Sequence, residues 1–145
     1  MTDRELRVPT AVIPAFNAGP WIGGVVERTA RLIPEVMVVD DGSTDDTADA
    51  AREAGADVLS HASNLGKGAA LRTAFGTVFA RGRSDAVVTL DADGQHLPEE
   101  IPKLLAAWRD GADLVLGTRD HLFASMSRVR RASNSLSSRA ISWAA

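Results

Sequence analysis

The sequence contains no cysteine, and that absence removes disulfides, thiolate metal sites and cysteine nucleophiles from consideration. It fits a reducing compartment, so a cytoplasmic location is expected. Long basic blocks are missing too. The net charge is −3, the wrong field for a general nucleic-acid binder, which must attract phosphates. No apolar run approaches the ~20 residues that a membrane-spanning helix requires. The opening MTDRELRVPT has neither the basic start nor the apolar centre of a signal peptide. No internal repeat and no low-complexity linker interrupt the chain. What is present is 145 residues of 45% hydrophobic content, enough to build one packed core.

Short β-branched runs alternate with longer stretches of helical period, the pattern of βα units feeding a mostly parallel sheet, so the fold class is α/β. Strands are expected from Val8 to Pro14, Val36 to Asp40, Asp57 to Ser60, Ala86 to Asp91 and Asp113 to Gly117. A helix from Pro20 to Ile33 has proline in its first turn and Ile22, Val25, Val26, Ala30 and Ile33 on one face, although Gly23 and Gly24 weaken it. A second helix should start at Ser43 or Thr44, whose side-chain oxygen can cap it, with Asp45 and Asp46 at the positive end of its dipole. From Lys67 to Arg81, Ala70, Leu71, Ala74, Phe75, Val78 and Phe79 repeat at helical spacing and can cover the sheet. Pro98 to Arg109 turns Ile101, Leu104, Leu105 and Trp108 inward. In the last segment Val129, Leu136 and Trp143 stand seven apart, with Arg128, Arg131 and Arg139 largely off that stripe, which suits a basic amphipathic helix. Residues 119–145 carry five arginines against one aspartate in an otherwise acidic chain.

In open parallel sheets ligands bind outside the carboxyl ends of the strands, so the residues that follow each strand carry the chemistry. The fourth strand runs into LDADGQHLPEE. Asp91 and Asp93 are two residues apart, and a turn at Ala92 lets both carboxylates face one small volume. Two anions that close repel, and a hard divalent cation is the natural compensation. With few protein ligands such a cation keeps open positions, which is how Mg2+ or Mn2+ bridges a diphosphate; Gln95 or His96 can complete the shell. The same residues also read as a solvated acidic turn capping the next helix. A calcium loop does not match, because the glycine falls at the fourth position.

The second strand ends in VVDDGSTDDT, placing Asp40 or Asp41 where an acid accepts hydrogen bonds from a ribose or a base edge, with Gly42 allowing a sharp turn beneath. An N-cap and turn is the plain alternative. The first loop, PAFNAG, offers Phe16 to stack a base and Asn17 to bond its edge, or else a simple turn with Phe16 in the core. It has no G-x-G-x-x-G, which demotes a dinucleotide cofactor. The third loop, SNLGKGAALRTAF, sets Lys67 between two glycines at a helix start, where amides and ammonium both favour a phosphate. It is not a Walker loop, because position 61 is histidine and Gly68 replaces the hydroxyl residue. A solvated lysine is its plain reading. Gly117-Thr118-Arg119 closes the fifth strand with a planar guanidinium suited to phosphate oxygens.

Taken jointly and in order, VIPAFNAG, VVDDGSTDDT, NLGKGAALRTAF, LDADGQHLPEEIP and LGTRD resemble the family-two inverting glycosyltransferases of the GT-A fold, and among them the dolichyl- or polyprenyl-phosphate sugar transferases. The resemblance spans about residues 8 to 135. It implies a Rossmann-like three-layer sandwich and a donor such as GDP-mannose or UDP-glucose. It sets Pro14, Phe16 and Asp41 around the nucleoside, with Asn17, Lys67 and Ala92 in the same donor site. Asp91 and Asp93 become the motif for Mg2+ or Mn2+ with Gln95 beside it, and Arg119 with Arg130 or Arg131 lies near the phosphates or the acceptor. Asp93, Arg119 and Arg131 are thereby the expected catalytic residues. The family often has an acid after the first-loop asparagine; here Ala18 stands there, and one nucleotide contact stands to be lost.

An inverting transfer requires an acceptor oxygen behind the anomeric carbon and stabilisation of the departing nucleotide diphosphate, which metal and arginines can supply. A hydroxyl acceptor also needs a general base, carried by relatives of that kind in a later acidic motif that this chain does not contain. A lipid phosphate is already an anion and needs only cations to hold it, such as those of residues 119–145. The expected function is therefore metal-dependent transfer of a sugar to polyprenyl phosphate, with peripheral contact at the cytoplasmic membrane face. Homo-oligomerisation is left open. Relatives continue well beyond ISWAA, so the chain is expected to be truncated: residues 1–118 form the donor-binding core and residues 119–145 begin an incomplete acceptor-side region. The competing readings are a non-catalytic nucleotide-sugar binding module, a transferase with a saccharide hydroxyl acceptor, and a nucleotidyltransferase, whose usual glycine-rich opening loop is missing.

Overall fold

A computed structural model describes residues 8–117. The apolar run at β1 (Pro9–Ala15) is nearly continuous because this strand is buried on both faces. It pairs in parallel with β2 (Glu35–Asp40) on one side and β4 (Ala86–Thr89) on the other; β3 (Asp57–Ser60) lies outside β2, giving the order β3-β2-β1-β4. The helices are α1 (Gly19–Ala30), α2 (Thr47–Glu53), α3 (Lys67–Arg81) and α4 (Ile101–Arg109), the last entered through a 3₁₀ turn at Pro98–Glu100. The chain winds outward from β1 to β3 and then returns to the far side of β1. This reversal opens a crevice at the carboxyl ends of β1 and β4.

Strand periodicity sorts the core into two layers. Ala11, Ile13 and Ala15, with Val36, Val38 and Val88 beside them, face Ile22, Val25 and Val26 of α1 and Ile101 and Leu105 of α4. Val12, Met37 and Val39 face the opposite way, onto Ala70, Ala74 and Val78 of α3. Helices on both faces of the sheet make the three-layer α/β sandwich. A one-residue slip would exchange the two faces, so the register Ile13↔Val38 is fixed by burial on both sides.

Four expectations need correction. Helix α1 stops at Ala30, which is exposed, and the buried position is Thr29, whose hydroxyl donates to the Val25 carbonyl at 2.7 Å. Helix α2 begins at Thr47 and not at Ser43 or Thr44, because those two residues bond to the first loop instead. Phe79 is exposed, and the sheet-facing stripe of α3 consists of the smaller Ala70, Ala74 and Val78, which let the helix lie close to the strands. Among the described residues no fifth strand is formed: the first compact unit ends at Asp113, and residues 114–117 carry no strand pairing, with Leu114 and Leu116 exposed. The alternation of these residues is compatible with a strand, but a strand also needs a neighbour to take its backbone bonds. Arg119, Arg130, Arg131 and the proposed basic helix lie outside the described residues. Among the described residues no helix is long and apolar enough to cross a membrane.

Candidate functional site

Each wall of the crevice is a loop that leaves a strand. After β1, Phe16 stays exposed and Asn17 adopts φ 48°, a left-handed conformation that asparagine tolerates better than most residues. Three successive amides then donate to side chains of the β2–α2 loop and of the first residue of α2: Asn17 N to Ser43 Oγ at 2.9 Å, Ala18 N to Thr47 Oγ1 at 2.8 Å and Gly19 N to Asp45 Oδ2 at 3.0 Å. Thr44 N donates back to Asn17 Oδ1 at 2.9 Å. The donors at the start of α1 are thus satisfied from a loop more than twenty residues away. Asn17 was expected to bond a base edge, but its carboxamide oxygen is engaged in this strap. A side chain at Gly19 would collide with Asp46 Oδ1. The Thr47 hydroxyl, followed by the Gly19 and Thr47 amides, holds the Asp45 carboxyl below the usual carboxylate range.

After β2 the two aspartates part. Asp40 Oδ1 accepts the Ser43 amide at 3.1 Å and closes the local turn. Asp41 is only 3% exposed yet lines the crevice. Its Oδ1 lies 2.6 Å from His61 Nδ1 and accepts the Leu65 amide at 3.0 Å, while Oδ2 accepts the Gly66 amide at 2.7 Å. Burial pushes this carboxyl up, but His61 and the two amides outweigh burial and leave it below the ordinary value. Gly42 turns the chain at φ +73°, and a Cβ there would come within 2.7 Å of the Asn64 nitrogen, so only glycine admits the crossing of the two loops.

After β4 the chain turns at Ala92 and Asp93. The Asp91 amide donates to His96 Nδ1 at 3.0 Å, and His96 Nε2 stands 3.6 Å from Asp91 Oδ2. Lys67, the first residue of α3, reaches across the crevice to pair with Asp91 Oδ1. Asp93 Oδ1 accepts the Gln95 amide at 2.9 Å.

Pro14, Phe16, Asn17, Asp41, Lys67, Asp91, Ala92 and Asp93 all line one open cleft of about 240 Å³. Gln95 does not line it. Sequence reasoning missed Trp21, 52% exposed on the first turn of α1 and beside the 48%-exposed Phe16 in the lining. It also missed His61 as the partner of Asp41. The signal for His61 lay in strand register: Asp40 pairs with Ser60, which sets positions 41 and 61 side by side.

Among the described residues no three acidic or histidine side chains converge on one point, so these residues build no complete metal cage by themselves. Two hard carboxylates in an open cleft suit an ion that shares its coordination with water and ligand oxygens, as Mg2+ and Mn2+ do. The Lys67 ammonium on Asp91 marks where positive charge is wanted.

A model of glycosyl transferase family 2 matches residues 10–143. The chain is 40% identical over 126 residues to the polyprenol monophosphomannose synthase of Mycolicibacterium smegmatis, covering 81% of this chain and 47% of that protein. It is also 40% identical over 121 residues to the undecaprenyl-phosphate mannosyltransferase of Micrococcus luteus, covering 79% and 49% respectively. Glucosyl-3-phosphoglycerate synthase from Mycobacterium tuberculosis, solved with Mn2+, UDP-glucose and phosphoglyceric acid, matches with a TM-score of 0.62 at 32% identity, over 74% of this chain and 41% of that one. The chain spans about half the length of the curated relatives it matches.

Proposed function

The chain belongs to glycosyl transferase family 2 and shares the GT-A fold, and from that premise we propose that it forms the donor half of an inverting, metal-dependent transferase. In this reading it binds a nucleotide-diphosphate sugar of the GDP-mannose or UDP-glucose type and serves transfer to polyprenyl phosphate at the cytoplasmic membrane face. The observation that carries it is the convergence of Asp91 and Asp93 on the cleft that also holds Phe16 and Asp41. Phe16 stacks the base, Asp41 accepts a hydrogen from its edge, and Lys67 meets the diphosphate. Asp91 and Asp93 would hold Mg2+ or Mn2+, with water and ligand oxygens completing the shell, since Gln95 does not line the cleft. The ion, when bound, neutralises charge developing on the departing diphosphate.

The cleft's carboxylates support this choice of acceptor. In this reading Asp41 is filled by three protein donors and the base edge, and Asp91 and Asp93 are committed to the ion. No described acid lining the cleft is left to take a proton from a hydroxyl, whereas a lipid phosphate brings its own negative charge. Both mannosyl relatives are named for polyprenyl substrates. Arg119 with Arg130 or Arg131 holds the phosphates of donor or acceptor, and the division at residues 118 and 119 separates donor core from acceptor-side segment.

Calorimetric titration of GDP-mannose and UDP-glucose with and without Mn2+ tests the reading. We expect metal-dependent binding of at least one donor, and a loss of ~100-fold or more in Asp93→Ala, because one carboxylate holds the ion poorly. Binding of neither donor in the presence of Mn2+ would refute the assignment.

A further inference from the structure

His61 is partly buried, uses both ring nitrogens, and is given no role in the function proposed above. It follows β3 as Asp41 follows β2, and its amide donates to the Asp40 carbonyl at 2.9 Å, extending the parallel ladder to the edge of the cleft. The side chain is 12% exposed. Nδ1 stands 2.6 Å from Asp41 Oδ1 and Nε2 stands 2.9 Å from Thr73 Oγ1 on α3. A carboxylate only accepts, so Nδ1 carries the proton, and in the neutral ring Nε2 accepts from the threonine hydroxyl. The imidazole is therefore clamped at both ends, and its orientation is set by α3.

The remaining partners of Asp41 are also donors, the Leu65 and Gly66 amides at 3.0 and 2.7 Å. The positive end of α3, which begins at the next residue, favours the anion further. A carboxylate has about four acceptor positions; three are filled from within the protein, and Asp41 is one of the residues that line the cleft. One acceptor position is left for a ligand.

We propose that His61 is a positioning and specificity-determining residue, which fixes Asp41 as an obligate acceptor so that the cleft selects a nucleobase whose edge carries a ring N–H. Uracil and guanine present that hydrogen. Cytosine presents a lone pair at the corresponding ring nitrogen, which would face the lone pairs of Asp41, and leaving buried polar groups mismatched is a strong source of discrimination. The inference rests on the nucleotide-sugar reading, and the two fail differently.

The test measures the dissociation constants of UDP, GDP and CDP for the full chain in Mn2+, for the unmodified protein and for His61→Ala, His61→Gln and Thr73→Val, with circular dichroism to confirm folding. The unmodified protein should prefer UDP or GDP over CDP by at least ~10-fold. His61→Ala should bring that ratio to within ~3-fold. His61→Gln, which can still donate to Asp41, should recover most of it. Thr73→Val keeps the imidazole but frees Nε2, and gives an intermediate ratio if the alanine variant does not fold. A merely structural role would weaken all three nucleotides alike and leave the ratio unchanged. An unchanged ratio in folded His61→Ala, or in Thr73→Val when the alanine variant is unfolded, overturns the inference, as does equal binding of CDP by the unmodified protein. Binding of no nucleotide refutes the nucleotide-sugar reading itself.

Discussion

Lys67 and Asp91 meet in the cleft as an ammonium and a carboxylate, and the lysine side chain is 62% exposed. A pair that open contributes within about 1 kcal/mol to folding, so its removal changes binding more than stability. The ammonium occupies a carboxylate oxygen that a divalent ion also needs. In Lys67→Ala we expect Mn2+ alone to bind ~3- to 10-fold more tightly, because a competing cation is gone. UDP in the presence of Mn2+ should bind more weakly, because the diphosphate has lost a counter-charge. The two shifts have opposite signs, and titration of each ligand separates them. Two changes in the same direction would show that Lys67 does not exchange between carboxylate and phosphate.

Loops of neighbouring βα units lock to one another, and the strongest strap runs from the β2–α2 loop to the start of α1. Thr47 is fully buried, and its hydroxyl takes the buried Ala18 amide. Thr47→Val keeps the shape and leaves that amide unpaired, which costs about 1–3 kcal/mol. A lower urea midpoint at unchanged slope is the expected signature; nucleotide binding should weaken with it, because Phe16 sits two residues before Ala18. The same strap explains what was and was not legible in the sequence. Helix α3 could be bounded correctly at both ends because its pattern is local: it starts after Gly66 and stops at Gly82, which takes the left-handed terminal position. The four strands were legible from apolar runs, and Phe16, Asn17, Asp41, Lys67, Asp91 and Asp93 from their places after those strands, while Pro14 and Ala92 came into the site through the family resemblance. The start of α2 was not legible, because the Ser43 hydroxyl accepts the Asn17 amide and the Thr44 hydroxyl donates to Asn17 Oδ1, partners 26 and 27 residues away. His61 was missed for the same reason: its role comes from strand register, which single-sequence periodicity does not encode. Residues 114–117 failed as a strand because alternation does not supply a ladder partner.

At the scale of the whole molecule, the carboxylates with lowered proton affinity are also those that join separate elements. Asp41 ties β2 to β3 and α3. Asp45 ties the β2–α2 loop to α1. Glu99 binds Arg28 through both oxygens and so ties the 3₁₀ turn beyond the Asp91–Asp93 motif to α1, the Arg28 hydrogen bond being the main cause of its shift. All three carboxyls lie below their ordinary values in the folded protein. Between the depressed and the ordinary values the unfolded chain binds more protons than the folded one, so stability rises with pH through that window. Their contribution is complete above the ordinary carboxylate value of about 4; it is lost as the pH falls through the lower, folded values. Urea unfolding at pH 7, 5, 4 and 3 should therefore show little change down to pH 5 and a falling midpoint below it. Asp41→Asn cannot titrate and should flatten that acid limb while lowering stability at pH 7, since the amide replaces an anion that accepts from three donors. Glu99→Gln, at an exposed pair, should flatten it less. Were the acid limb equally steep in Asp41→Asn, the buried carboxylate would not be the group whose protonation loosens the walls of the cleft.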